Sequence, residues 1–175
     1  MRLQIIEPDE TVGTTKDIFK KLVMVPNVLC LMANSEPVFE NYTHFHYTQP
    51  SYKLAKKYRK MVSLAVSQFN DCLYCVALHT STAIESGILS QEECLDARRM
   101  KSTVSKTNTI LKFTKDVLEN RGKVNDSSIK DIKRHGFTDQ EIIEILSVIS
   151  FITLANFTAN VGKPELDFIE PPRID

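Results

Sequence analysis

Glycine is scarce in this chain, five in 175 residues, and each stands where a helix could stop rather than inside a regular segment. No stretch alternates apolar and polar residues with period two, so no half-buried strand is predicted. An excess of one charge is missing as well, since 22 Lys and Arg balance 22 Asp and Glu. A phosphate-binding surface normally leaves a basic excess, and no nucleic-acid partner is expected. Long apolar runs are absent too. The N-terminal "MRLQIIEPDETVG" has its short apolar run broken by Glu7, Pro8 and Asp9, which leaves no signal-peptide core. The most apolar segment, Ile142 to Phe157, is interrupted by Glu144, Ser147, Ser150, Thr153 and Asn156 and falls short of the roughly 20 apolar residues a membrane span needs. The expectation is a cytoplasmic protein with no membrane partner, in which that segment is a buried helix. In a reducing compartment the four cysteines argue against a disulfide framework.

What remains is an ordinary globular mix, 42% hydrophobic and 25% charged, in a length that suits one domain over 1–175. Apolar spacing predicts helices over about 17–23 and 28–32, then one capped by Ser35, with Pro37 in its first turn, running to about Tyr47. Further helices are predicted over 51–69 and 72–86, the second capped by Asp71 and closed by Gly87. "SQEE" at 90–93 and "TDQE" at 138–141 are capping boxes that open helices. Two more fall over about 107–120 and 127–135. The last, from Asp139 to about Asn160, is apolar on most sides and suits a core element or a subunit interface. Lys53, Lys56, Lys57 and Lys60 read as a solvated stripe. The class is all-α.

Chemistry concentrates in "FNDCLYCVALHT", residues 69–80. On a helix Cys72, Cys75 and His79 fall at about 0°, 300° and 340°, so all three share one face. Unpaired amides and the helix dipole at the N-terminus favour thiolate, the nucleophilic form. His79, one turn beyond Cys75, suits a proton donor or acceptor. In outline these groups suffice for peroxide reduction through a sulfenic acid and a disulfide. Haem attachment is excluded because Val76, not His, follows the second cysteine, and a thioredoxin-like motif requires a strand where "MVSLAVSQF" reads as helix. A zinc site lacks a fourth ligand at supporting spacing, since Cys94, Cys30 and His135 are scattered. His44 and His46 point to different sides of a helix, against a shared metal site. A redox dithiol, zinc ligation and plain core thiols all remain open on spacing.

The stretch "MVSLAVSQFNDCLYCVALHTSTA" resembles the core motif of the alkylhydroperoxidase D and carboxymuconolactone decarboxylase (AhpD/CMD) superfamily, in the branch that keeps CxxC and the following His. "VPNVLCLMANSEPVF" and the region from "ILKFTKDVLEN" to "VGKPELDF" are similar to its flanking helices. The resemblance implies an all-α, AhpD-like helical domain with the CxxC motif at the N-terminus of a central helix, assembled as a trimer or hexamer. It implies a thiol-dependent peroxidase that reduces hydroperoxides, recycled by a thiol or dithiol reductant or serving a peroxiredoxin partner, with no cofactor and no metal. In those terms Cys75 is the peroxidatic cysteine, Cys72 its disulfide partner and His79 part of a proton relay. The alternative is a decarboxylase-like enzyme or a family member of weakened activity. The family usually carries a glutamate twelve residues before the first cysteine; here that residue is Lys60. Three other side chains or roles follow: Ser63 as a weaker orienter of the His79 ring, Lys60 as a source of positive charge near the sulfurs, and Tyr74 between the cysteines, expected to pack more than to donate a hydrogen bond.

Overall fold

A computed structural model of the chain describes residues 2–174. Its helices are α1 (Gly13–Lys21), α2 (Asn27–Met32), α3 (Glu36–Thr48), α4 (Lys56–Phe69), α5 (Leu73–Glu85), α6 (Gln91–Arg99), α7 (Ser105–Glu119), α8 (Asp126–Arg134) and α9 (Asp139–Gly162). No strand occurs among the described residues. Both capping boxes form: Ser90 and Glu93 exchange side chain-to-backbone bonds at the start of α6, as do Thr138 and Glu141 at the start of α9. Gly87 takes the left-handed φ of 64° expected after α5.

The hub is α4, which packs against α5, α6, α7 and α9. Its buried face from Met61 to Ser67 supplies Val62 and Val66 to a core shared with α7 and α9. Met61, Leu64 and Ala65 face a second core with α6. The helix begins at Lys56 rather than at the expected Ser51. The reason lies far along the chain: the Glu144 carboxylate of α9 accepts the Lys53 N–H at 3.0 Å and the Leu54 N–H at 2.7 Å. Those amides are satisfied from another helix, and the Leu54 side chain is fully buried in the segment before α4.

By length and apolarity α9 would pass for a membrane span, yet 56% of its most apolar window is buried inside the fold. It packs against α2, α4 and α5, so it is a core helix, and it brings Asn156 to the start of α5.

Candidate active site

Asn70 and Asp71 turn the chain from α4 into α5. Asp71 adopts a left-handed φ of 49°, which Asp tolerates better than most residues, and it therefore serves the turn instead of capping the helix. The cap is Cys72, whose Sγ accepts the Cys75 N–H at 3.4 Å. A sulfur thus takes the place a hydroxyl or carboxylate usually fills. Both thiols are reduced and almost wholly buried. The Cys75 thiol donates toward Cys72, and this, against the opposing effect of burial, holds Cys72 below its ordinary value, helped by the Cys75 amide and the Asn156 side chain. Cys75 is pushed up, first by its hydrogen bond to Cys72, then by burial and the Cys72 charge. The pair titrates as a unit: one proton leaves easily, and the thiolate that forms at Cys72 holds the second.

Asn156 is fully buried. It donates to Ser67 Oγ at 3.2 Å and accepts from Asn70 Nδ2 at 3.0 Å, and its amide favours the thiolate form of both sulfurs. Sequence reading saw it only as a polar break in an apolar helix. A buried amide there needs partners, and that was the available signal.

Tyr74, expected chiefly to pack, uses its hydroxyl. It donates to Asp167 of the C-terminal tail and accepts the Val28 N–H at 3.2 Å, while Asp167 also accepts the Asn27 N–H at 2.8 Å. Burial and the Asp167 bond push its phenol up. Tyr74 therefore ties α5 to α2 and the tail and does not engage the sulfurs with its hydroxyl.

At the other end of the constellation, His79 Nδ1 is sealed from solvent without a hydrogen-bond partner. Burial first, then Lys60 and His46, hold the ring well below its ordinary value, so it is neutral at pH 7. The orienting bond expected from Ser63 is not made. Ser63 Oγ donates to the Arg59 carbonyl at 2.9 Å, the back-bond to the preceding turn that a mid-helix serine often prefers. Lys60 departs from the solvated stripe. Lys56 and Lys57 are exposed, but Lys60 turns inward and its Nζ donates to Thr82 Oγ1 at 2.8 Å. Burial, then Lys56, lower it from its ordinary 10.5 to about 8.

Two hollows lie along α5. One, about 280 Å³, runs between Cys72, Gln68, Arg98 and the tail residues Glu170 to Ile174. The other, about 250 Å³, is lined by Lys60, His79, Thr82, His46 and Tyr42 with apolar walls from Leu22 to Leu29 and Phe151. Tyr42 links this cavity to the sulfurs: it packs against the cluster that holds Cys75, and burial and the Cys75 charge push its phenol up. Neither Tyr42 nor His46 was singled out from sequence as part of the site, because their approach to α5 is made by tertiary packing of α3. A larger hollow, about 550 Å³ between α7 and α8, holds no cysteine or histidine. Among the described residues no three His, Cys, Asp or Glu side chains converge as metal ligands would, although Cys30 shares the apolar cluster of Cys72 and Cys75.

Residues 37–115 match the model of the carboxymuconolactone decarboxylase family. No curated protein sequence matches the chain. Among solved structures, the fold is similar to an alkylhydroperoxidase AhpD core, an uncharacterised peroxidase-related protein from Ralstonia eutropha JMP134, with TM-score 0.80 and 24% identity over 95% of this chain and 92% of that one. A peroxidase-related protein from Silicibacter sp. TM1040 gives TM-score 0.75 and 24% identity over 93% and 88%. The debrominase Bmp8 gives 0.72 and 13% over 87% and 83%. At such identities these structures speak to the fold. The matched segment runs from α3 into α7 through both cysteines, and the fold around it is similar to that of the AhpD-like structures.

Proposed function

We propose that the chain is a thiol-dependent peroxidase, or disulfide oxidoreductase, working through the Cys72–Cys75 dithiol with His79 beside it, in a reducing cytoplasm. The observation that carries this reading is the capping sulfur. Cys72 receives the Cys75 amide and the Cys75 thiol, so a thiolate is stabilised with its resolving partner already in contact. The chemistry balances with a hydroperoxide ROOH. A thiolate attacks the outer oxygen, the S–O bond forms as O–O breaks, and the departing alkoxide takes a proton to become ROH. The second thiol then attacks the sulfenic sulfur, S–S forms, and water leaves. An external thiol or dithiol, or a peroxiredoxin partner, reopens the disulfide. The reaction as written needs no metal or flavin.

The charge settles first on Cys72, whereas the family resemblance assigns attack to Cys75. For Cys75 to attack, its proton passes to Cys72 along the bond they share. Self-association as a trimer or hexamer belongs to the same proposal. It is supported by Ile143, Leu154, Phe157 and Val161, which leave a stripe of exposed apolar side chains along α9.

The fold also serves a debrominase, so the test reads sulfur oxidation. Mass spectrometry of the Cys72–Cys75 peptide, before and after stoichiometric peroxide, is expected to show loss of two thiols per chain, reversed by dithiol reductant. Cys30 and Cys94 serve as internal controls. In Cys72→Ser and Cys75→Ser variants, a sulfenic acid trapped in only one names the attacking sulfur. Both thiols remaining alkylatable after peroxide, in folded protein, would rule the reading out.

A further inference from the structure

The cavity between α3, α4 and α5 has a charge that nothing in the fold answers. Lys60 Nζ makes one hydrogen bond, to Thr82, and among the described residues none of the ion pairs includes it. An ammonium offers three donors, so two are unspent. Lys56 on its own helix worsens its position, and the Lys60 charge in turn disfavours protonation of His46 of α3 and His79 of α5. Cys94 of α6 is the one group acting in its favour, and burial holds that thiol protonated. A second polar atom lacks a partner on a residue of the same wall, Nδ1 of His79, which is sealed from solvent. An unpaired charge and an orphaned ring nitrogen, both drawn out of water, are costly to keep in a fold that has no use for them.

The geometry points to this cavity as the substrate pocket for a small organic hydroperoxide that carries a carboxylate, with Lys60 holding the carboxylate and the apolar wall holding the hydrocarbon body. A single ammonium matches a single negative charge, and the neighbouring imidazoles are neutral and add no second cation. The apolar part of the lining, from Leu22, Val28, Leu29 and Phe151, suits a ring or branched chain. The volume of about 250 Å³ equals about eight waters at ~30 Å³ each, the scale of an aryl or short aliphatic acid. The hydroperoxide half of this inference rests on the peroxidase reading above; recognition of the acid rests on the cavity alone.

Two unreactive probes separate these halves. Calorimetric titration of the reduced full-length protein at pH 7 compares 4-isopropylbenzoate with 4-isopropylbenzamide, which differ little in shape and by one charge. The benzoate is expected to bind at least tenfold tighter, and Lys60→Met and Lys60→Gln, each checked for folding by circular dichroism, are expected to bring the two within about twofold. Equal binding by the natural chain, no saturable binding of either probe, or a preference kept in both variants overturns the pocket assignment. The reactive counterparts complete the test: oxidation of the dithiol by 4-(2-hydroperoxypropan-2-yl)benzoate should outpace that by cumene hydroperoxide by at least tenfold. Equal rates beside a preserved benzoate preference overturn the substrate class and leave an anion site. No disulfide with any peroxide, beside that same preference, removes the peroxidase reading and keeps the carboxylate pocket.

Discussion

The two ends of the α5 constellation are built on opposite principles. At the N-terminus Cys72, Cys75, Asn156, Ser67 and Asn70 are all buried or partly buried, and each polar group has a partner. Two turns further on, His79 Nδ1 has none and Lys60 has only Thr82. The first arrangement stabilises the fold and sets an ionisation order. The second opposes folding and persists beside a cavity, which is where an unmet demand can be met by a ligand. The comparison predicts that substitutions at the satisfied end destabilise, and that apolar replacements at the unsatisfied end stabilise.

Lys60 carries the largest expected effect. Its proton is held to about 10.5 in the unfolded chain and to about 8 in the folded one, so between those values the unfolded state binds more protons and stability rises with pH. Below pH 8 the penalty is fully present. A shift of that size corresponds to about 3 kcal/mol at most, so Lys60→Met should raise the urea midpoint at pH 7. The gain should shrink on going to pH 10, as the natural chain sheds its penalty. A destabilised variant, or a gain that does not change with pH, would break the contrast between the two ends.

Asn156→Leu tests the satisfied end. It leaves Ser67 and Asn70 without their partner inside the fold, a loss of roughly 2–3 kcal/mol. It also removes a donor that lowers Cys72, and the core thiols supply the yardstick for that. Cys30 and Cys72 are nearly equally inaccessible, at 4% and 0% exposure, yet burial pushes Cys30 up to about 11 while Cys72 sits below 9.0. The lower value leaves more of Cys72 as thiolate, a gain that the weaker nucleophilicity of a lower-pKa thiol offsets only in part. Iodoacetamide at pH 7 should therefore label Cys72 faster than Cys30 in the natural chain, with the ratio falling in Asn156→Leu. An unchanged ratio in a destabilised protein would confine Asn156 to packing.

Features legible in the sequence were those coded locally. Both capping boxes and the Gly87 stop depend on residues a few positions apart, and a helix forces such neighbours together. Features that escaped depend on distant chain. Glu144 decides where α4 begins by taking the Lys53 and Leu54 amides, and nothing near Ser51 announces it. Tyr74 finds Asp167, and Asn156 finds the sulfurs, only once α9 and the tail have packed. The lysine stripe failed for a subtler reason: Lys56 and Lys57 are exposed as its pattern predicts, but Lys60 lies one turn on, where α4 rotates its face toward α3 and α5.

His79 gives the smallest expected effect and the sharpest sign. Burial, then Lys60 and His46, keep the folded ring from protonating near its ordinary 6.5, while in the unfolded chain it takes a proton there. As pH falls below about 6.5 the unfolded state therefore gains protons that the folded state refuses, and stability is lost. His79→Leu removes this term and the orphaned Nδ1 together. At pH 7.5 the variant should match or slightly exceed the natural chain, and at pH 5 its advantage should have grown by at most about 2 kcal/mol, read from urea melts at the two values. If the advantage is flat across that range, the ring protonates as readily folded as unfolded. It must then have found a partner, and the opposition between the two ends of α5 reduces to the lone charge of Lys60.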